Sequence, residues 1–275
     1  FTRNWFMYWR NLTAIIPRVG ATLFMSVLFG LIYLQYKPNS VTSVTAFIAS
    51  ITRTFNFGAV IASLTGLPLA YDNVSCRIRE SFQSGLYSPG LWAASAFALE
   101  LIWLISSTLV LQIPTYFMVG LEYDFTLWVS NVFIVYLIVL SYTSTCMAIS
   151  AASSNQAIAQ VTCSSLFALL SLFGGLSITY PKIGWWKWAL RVSPATWGCQ
   201  AIVMPQMENQ TSQYLTFLDG TVTRVMNLRD YTKWYLGMEY GWDAYWQSVG
   251  VMLAWIVTFQ VIAILATTFL NFSKR

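Results

Sequence analysis

Histidine is absent from the sequence, and charged residues are scarce. Only 9% of the 275 residues are Asp, Glu, Lys or Arg, whereas soluble globular chains carry about 25%. Without histidine, His-based catalysis and His-containing metal sites are excluded, and the 4 cysteines show no CxxC spacing. The GxxxxGK(S/T) phosphate loop is also missing. The sequence therefore predicts no catalytic residues and no metal site.

Long uncharged stretches occupy much of the chain instead. Hydrophobic residues make up 57% of it, and residues 125–181 contain no charge at all. About 18 consecutive apolar residues are enough to span a membrane. The apolar runs are about 20 residues long and do not alternate strictly, which favours helices over a barrel. We therefore expect an all-α polytopic membrane protein.

Six membrane spans are predicted from these runs. They cover about residues 19–36, 44–70, 91–121, 127–152, 157–178 and 248–270. The chain then divides into an amphipathic connecting helix (1–18), spans one to five (19–178) with a cytosolic coupling loop at 72–89, a large external loop (179–247), and the sixth span with a cytosolic C-terminus (248–275). Because the chain opens without methionine or a signal peptide, we expect it to be a segment of a longer protein.

The distribution of basic residues predicts the orientation. Those on the side shared by both termini are Arg3, Arg10, Arg18, Arg77, Arg79, Lys274 and Arg275. The short opposite loops carry only Lys37, and Lys and Arg concentrate in cytosolic loops. Both termini are therefore predicted to be cytosolic, which places the Asn209 sequon outside as a glycosylation acceptor. The basic residues that produce the net charge of +5 are accounted for by their positions beside the membrane spans, so no nucleic-acid partner is predicted.

Two charges, Arg53 and Glu100, lie closest to membrane depth. Each is either an intramembrane functional group or an interfacial residue whose side chain reaches the headgroups. We do not expect them to pair, because the predicted topology places them at opposite faces. Gly58, Ala62 and Gly66 follow one another at intervals of four residues on the second span, and this pattern predicts close approach of a neighbouring helix.

Polar and aromatic residues on the second and fifth spans allow two interpretations. Asn56, which follows Phe55, either bonds a neighbouring helix or lines a cavity. Phe167, Leu170 and Phe173 share one helix face, which is typical of core packing and also of a ligand site. The residues themselves leave both interpretations open.

Several stretches, in order along the chain, resemble known sequence patterns. They are YWRNLTAIIPR (8–18), Arg79-Glu80 eleven residues after Pro68, GLYS (85–88), LELIW (99–103), YFMVGLE (116–122) and FGGLSITYPKIGWWKWALRVSPATW (173–197). Together they resemble the membrane domain of ATP-binding-cassette exporters of the G subfamily, specifically the full-size pleiotropic drug resistance type. Leu12 and Trp103 replace a proline and a tyrosine of the family patterns. The terminal FLNFSKR resembles the end of full-size members and favours the C-terminal half, although SPATWGCQAI also resembles the first half.

The resemblance implies a six-helix ABC-2-type transmembrane domain with re-entrant helices in its external loop. Such a half would face a second six-helix half, in the same chain or a dimer, around a central cavity. Nucleotide-binding domains outside this segment would bind ATP and Mg and drive alternating access. The implied cavity residues are Phe55, Asn56, Phe167, Leu170 and Phe173, with an apolar external plug at Phe173 and Leu176 and a coupling set of Arg77, Arg79 and Glu80.

The implied function is export of amphipathic small molecules or lipids, and the implied location is the eukaryotic plasma membrane. Trp185, Trp186 and Trp188 suit an anchor at headgroup level, because indole rings settle there. The alternative is a membrane channel or non-transporting scaffold subunit, which needs no ATPase partner; a pore should show hydrophilic or charged rings, and the sequence has none. An intramembrane hydrolase ranks third, because paired acids and a nucleophile–base set are missing.

Overall fold

The computed structural model describes residues 5, 12–34, 41–84, 89–121, 124–172, 180, 184–207, 214–219, 222–237 and 241–269. For residues 73–84 it describes the backbone only. The helices, in chain order, are α1 (Leu12–Ile32), α2 (Val41–Ser84), α3 (Pro89–Val119), α4 (Phe125–Ala152), α5 (Gln156–Leu172), α6 (Lys187–Val192), α7 (Pro194–Met207), α8 (Leu228–Leu236) and α9 (Trp242–Phe269). A short 3-10 helix, Gly184–Trp186, precedes α6.

Six of the described helices are long or apolar enough to be compared with the predicted spans, and α7 packs against α2, α4 and α9 among them. Within the described residues, α1, α2, α3, α4 and α9 are long and apolar enough to cross a membrane, and α5 is a shorter apolar helix of 17 residues. The buried share of the apolar stretch is largest for α4, at 72%, and smallest for α1, at 22%. The all-α membrane fold expected from the sequence is thereby confirmed, with α4 at the centre and α1 at the edge.

The α3–α4 connection shows why chain direction reverses there. Gly120 adopts a φ of 78°, which is the left-handed conformation that glycine accepts readily. Asp124 then caps α4, because its side chain accepts a hydrogen bond from the Thr126 amide at 3.1 Å. The two long helices consequently run antiparallel, joined by only a few residues.

Helix α2 is longer than the sequence predicted. The second span was expected to end at about residue 70 and to give way to a loop at 72–89, but the helix continues to Ser84 over a total of 44 residues. No proline or glycine interrupts residues 69–84, so nothing in this polar stretch stops helix propagation. Pro68 lies inside α2. The sixth span is likewise longer than predicted, because α9 begins at Trp242 rather than near Ser248.

The region between α5 and α9 holds a β-hairpin in addition to short helices. Strands β1 (Tyr214–Asp219) and β2 (Val222–Asn227) pair antiparallel, with Tyr214 opposite Asn227. Helix α8 follows at once and ends at Leu236, where it is capped by Gly237 with a φ of 67°. This hairpin was not predicted from the sequence.

Tyr180 fixes the end of α8 against the segment that precedes α6. A Cβ atom at Gly237 would overlap the ring of Tyr180, and the Lys187 ammonium lies 4.9 Å from the centre of the same ring. On α8, burial, with a contribution from Tyr235, raises the pKa of Tyr231 to about 12. The chain between α5 and α9 therefore packs on itself.

Candidate functional site

The residues predicted to line a cavity lie on α2 and α5, which both pack against α4. Phe55 and Phe167 belong to the buried core, and Asn56 is 8% exposed. Leu170 is partly buried and packs against the same core. Phe173, like the other predicted plug residue Leu176, lies outside the described residues. Within a single chain, these α2 and α5 side chains are therefore covered, and their role in a cavity stays a prediction.

Tyr142 of α4 joins two of the predicted cavity residues. Its hydroxyl donates a hydrogen bond to Asn56 Oδ1 at 3.0 Å, and Asn56 Nδ2 donates to the Thr52 carbonyl at 2.8 Å. The ring of Phe167 meets the Tyr142 ring edge-on, at 4.8 Å between centroids. Both ends of the Asn56 amide are thus satisfied, as a buried polar group in a membrane protein requires. One side chain of α4 contacts both α2 and α5.

Further hydroxyl contacts run along α2. Ser63 and Thr143 approach to 3.1 Å between their oxygens, which links α2 to α4. Near the other end, the Thr52 hydroxyl lies 2.9 Å from the Cys199 sulfur of α7. Each hydroxyl also bonds a carbonyl of its own helix. Inside a bilayer the hydrophobic effect does not drive helices together, because lipid tails are as apolar as the side chains. Small polar side chains of this kind join helices there instead.

The small residues of α2 let two neighbours approach closely, as the sequence predicted. A Cβ at Gly58 would lie 2.5 Å from a methyl carbon of Leu111 on α3. A Cβ at Gly66 would lie 3.2 Å from the guanidinium carbon of Arg18 on α1. Ala62 between them is 1% exposed. The spacing therefore serves helix packing, and at Gly66 it makes room for a charge.

The charge beside Gly66 belongs to a buried ion pair. Arg18 Nη2 lies 3.0 Å from Glu100 Oε2, and Arg18 Nη1 lies 3.3 Å from Glu100 Oε1. The side chains are 7% and 3% exposed. A two-point contact of this kind is the strongest geometry available to an Arg–carboxylate pair. The pair joins α1 to α3 inside the bundle.

Sequence reasoning missed this pair, although it singled out Glu100. Arg18 was interpreted as a flanking residue, yet the apolar stretch of α1 begins before it, at Ile15. Glu100 similarly lies inside the apolar stretch that begins at Ala93, which favours the intramembrane interpretation over the interfacial one. The signal that could have found the pair is two opposite charges near the same end of neighbouring spans.

Arg53 differs from Arg18 in its surroundings. It lies within the apolar stretch Val44–Asp72 of α2, and its side chain is exposed. Among the described residues it makes no salt bridge or hydrogen bond. As predicted, it does not pair with Glu100.

Comparison with known proteins identifies the bundle. The family model described as ABC-2 type transporter matches residues 1–207. The chain belongs to this family. Together with the long apolar helices, this membership makes the chain an integral membrane protein.

Curated relatives of this ABC-2 type domain include ABC transporters of the G family. Member 35 of Arabidopsis thaliana is 26% identical over 278 residues, which covers 99% of this chain and 19% of its own length. Member 34 of the same species is 27% identical over 281 residues, covering 98% and 19%. Member 53 of Oryza sativa subsp. japonica is 24% identical over 271 residues, covering 98% and 18%. The chain thus spans about a fifth of the length of the curated relatives it matches.

The coupling residues predicted for this ABC-2 type domain lie on the extension of α2. Arg77, Arg79 and Glu80 belong to its continuous helical backbone, beyond the apolar stretch that ends at Asp72. Just before this extension begins, the Tyr71 hydroxyl donates to the Ser154 carbonyl between α4 and α5 at 2.9 Å. The side chains of the three residues lie outside those described, so their role stays a prediction.

Three tryptophans of the ABC-2 type domain form an exposed aromatic row that runs from the short 3-10 helix into the first turn of α6. Trp185, Trp186 and Trp188 are 72%, 43% and 53% exposed. The rings of Trp185 and Trp186 are tilted to each other at 4.6 Å between centroids, and those of Trp186 and Trp188 stack at 5.9 Å. Exposed indoles of a membrane protein can settle at the headgroup level, and the role of these three as an interfacial anchor stays a prediction. Asn209 lies outside the described residues.

Proposed function

We propose that this chain is one transmembrane half of an ATP-driven exporter that moves amphipathic small molecules or lipids out across the membrane by alternating access. The observation that carries the proposal is similarity over 99% of the chain to a protein named as an ABC transporter. The chain has no phosphate loop, so nucleotide-binding domains outside it would bind ATP and Mg and supply the energy.

The free face of α5 supports pairing with a second six-helix half. Thr162, Ser164 and Ser165 are exposed on this helix, and their hydroxyls donate to carbonyls of the preceding turn at 2.8–2.9 Å. Small hydroxyl residues on this side, beside the exposed Ile158 and Leu169, suit contact with another helix or a weakly polar cavity. We assign this face to the second half and to the cavity between the halves.

We further assign Phe55, Asn56, Phe167, Leu170 and Phe173 to the wall of that cavity. In the present arrangement Tyr142 covers Asn56 and Phe167, so access requires α5 to move away from α4. Aromatic walls with few polar groups bind amphipathic molecules without strict geometry.

The apolar plug assigned to Phe173 and Leu176 separates this cavity from the external side. Two large apolar side chains can close a narrow passage by excluding water from it.

The motif resemblance supports a more specific assignment of transporter type, half and membrane. We propose the full-size pleiotropic drug resistance type, in its C-terminal half, in a eukaryotic plasma membrane. Both termini of the chain are cytosolic in this proposal, and Asn209 carries an external glycan. Supporting it are the basic flanks of the spans and the G-family relatives, of which this chain covers about 19%.

Transport by inside-out vesicles tests the proposal. Vesicles that contain the full-length protein are incubated with fluorescent amphipathic compounds and labelled lipids, with ATP and Mg or with a non-hydrolysable analogue. The expected result is uptake of at least one compound with ATP only, and none by vesicles without the protein. Flux that does not need ATP would indicate a channel, and no flux under any condition would favour a scaffold.

A further inference from the structure

Three helices meet at the Arg18–Glu100 pair. Arg18 lies on α1 and Glu100 on α3, and Gly66 of α2 packs against the guanidinium group, since a Cβ there would lie 3.2 Å from its central carbon. The Thr22 hydroxyl donates to the Arg18 carbonyl at 2.9 Å, one turn further along α1. The pair therefore lies at a junction of three helices and is not exposed at the edge of the bundle.

Each of these helices leads directly to a segment on the same side of the bundle. The N-terminal segment 1–18 precedes and enters α1, the polar extension of α2 runs on to Ser84, and α3 begins at Pro89, just after that extension. The predicted coupling residues 77–80 thus lie on the chain between Gly66 and Glu100. Within the described residues of these helices, the salt bridge that joins one helix to another is the Arg18–Glu100 pair.

Helix α1 is the least buried of the candidate spans and packs along one side on α2 and α3. Only 22% of its apolar stretch is buried. Besides the ion pair, it is held by Ser26, whose hydroxyl donates to the Leu111 carbonyl at 2.9 Å, and by Phe29, which stacks on Phe57 at 6.1 Å. Burying two charges is not an efficient way to stabilise a helix, because desolvation offsets much of the attraction. A directional charge pair does, however, fix the relative position of two helices.

We propose that the Arg18–Glu100 pair is a coupling clamp, which makes the ends of α1, α2 and α3 move as one body when the attached cytosolic segments move. This inference rests on the proposed function, since a clamp of this kind serves transmission of nucleotide-driven motion. Arg18 and Glu100 are positioning residues in this scheme, because neither needs to touch the substrate. Without the clamp, α1 no longer follows the other two helices.

Substitutions in the full-length protein test the clamp. Glu100→Gln removes the charge at nearly constant shape, and the exchange Arg18→Glu with Glu100→Arg restores a pair in reverse. Arg53→Gln is the matched control, because it removes an arginine from an apolar stretch at a side chain that is exposed. All variants are compared per correctly folded molecule, by size-exclusion profile in detergent.

The deciding measurement is the ratio of transported substrate to hydrolysed ATP. For Glu100→Gln we expect ATP hydrolysis close to the parent and a ratio lowered by about tenfold, within the range typical of coupling between sites. The reversed pair should recover much of the ratio, and Arg53→Gln should leave it unchanged. An unaltered ratio in folded Glu100→Gln, or equal loss in the reversed pair, would overturn the clamp and leave the pair as a packing feature.

Hydrogen exchange separates failure of the clamp from failure of the proposed function. In the parent protein, ATP with vanadate should change amide exchange in α1 and in the first turns of α3 together. In Glu100→Gln the change in α1 should disappear while that in α3 persists. If no compound is transported at all, the exporter proposal fails, but the exchange comparison still decides whether the pair links the helices. Identical exchange in both proteins would refute the clamp.

Discussion

Gly58 and Leu111 pack so closely that the leucine occupies the space where any other residue at position 58 would place its side chain. A Cβ there would lie 2.5 Å and 2.6 Å from the two methyl carbons of Leu111. Helices α2 and α3 therefore touch backbone to side chain at this level. The contact gives the sharpest stability prediction for the bundle.

Replacing Gly58 by Ala should destabilise the protein, because the added methyl group forces Leu111 or the helices apart. Overpacking of this kind costs about 1–3 kcal/mol, visible as a lower melting temperature in detergent. Gly20→Ala is the control: Gly20 is exposed and helical, and a Cβ there meets no described atom within 4 Å. It should be neutral or slightly stabilising, because alanine favours helix. Equal melting temperatures for both variants would contradict the close contact.

Tyr142→Phe should weaken the contact between α4 and α2. The change removes the hydrogen bond to Asn56 Oδ1 and leaves that oxygen buried without its donor. Interhelical hydrogen bonds in membrane proteins contribute about 0.6–1.7 kcal/mol, and a loss of this size is expected in unfolding measurements. A double-mutant cycle with Asn56→Leu isolates the pair. Strictly additive effects of the two substitutions would show that the side chains do not interact.

Gly237→Ala should destabilise the end of α8 more than Gly184→Ala destabilises the start of the short 3-10 helix. Both glycines have positive φ, at 67° and 61°, so alanine costs roughly 1–2 kcal/mol of backbone strain at either site. Only at Gly237 does the new Cβ also collide with the Tyr180 ring, whereas at Gly184 it meets no described atom within 4 Å. Amide exchange in α8 should therefore rise clearly in the first variant alone. Similar exchange in both would show that Tyr180 does not pack there.

Arg79→Ala combined with Glu80→Ala should uncouple ATP hydrolysis from transport and leave substrate binding nearly intact. Charged side chains suit a contact that must form and break in water, and these two lie on the part of α2 beyond its apolar stretch. The conservative pair Arg79→Lys with Glu80→Asp is the control and should retain most of the transport. Undiminished transport by the double alanine variant, at normal expression, would reject the coupling assignment.

Asn209→Gln should remove an N-linked glycan when the protein is produced in eukaryotic cells. The predicted orientation places this sequon outside and those at Asn11, Asn73 and Asn271 in the cytosol, where no glycan is added. The parent should therefore lose apparent mass on glycosidase treatment, the Asn209 variant should not, and substitution of the other three should change nothing. A glycan at Asn11 or Asn73 would reverse the orientation.

The sequence predicted the helices well because their signal is local. Uncharged runs of about 20 residues determine a span wherever they occur, and the small-residue spacing at Gly58 and Gly66 predicted close packing correctly. The predicted end of α2 was wrong for a related reason. Polar residues after residue 71 were interpreted as a loop, although polarity can end a membrane-spanning stretch without ending the helix. No proline or glycine occurs between Pro68 and Gly85 to favour an earlier end.

Contacts between helices were harder to predict, because they depend on how far each helix is rotated and shifted along its neighbours. Arg18 and Glu100 are 82 residues apart, and their meeting requires α1 and α3 to pack at one particular level. The sequence allowed two roles for Asn56. Only the position of Tyr142 shows that the Asn56 side chain forms a hydrogen bond to α4. The β-hairpin was missed because its two strands of six residues lie within a stretch that was interpreted as one large external loop.

Because α2 is long, a small bend within it produces a large displacement at its far end. At 1.5 Å per residue, 44 residues make a rod of about 66 Å, whereas the hydrocarbon core of a bilayer is about 30 Å thick. Pro68 removes a backbone hydrogen bond inside this rod and so provides a flexible point. Ser84 lies about 24 Å beyond that point, so a bend of only about 10° at Pro68 would sweep the far end of α2 through about 4 Å. A small movement in the membrane thus corresponds to a displacement at the end of the arm as large as a side chain.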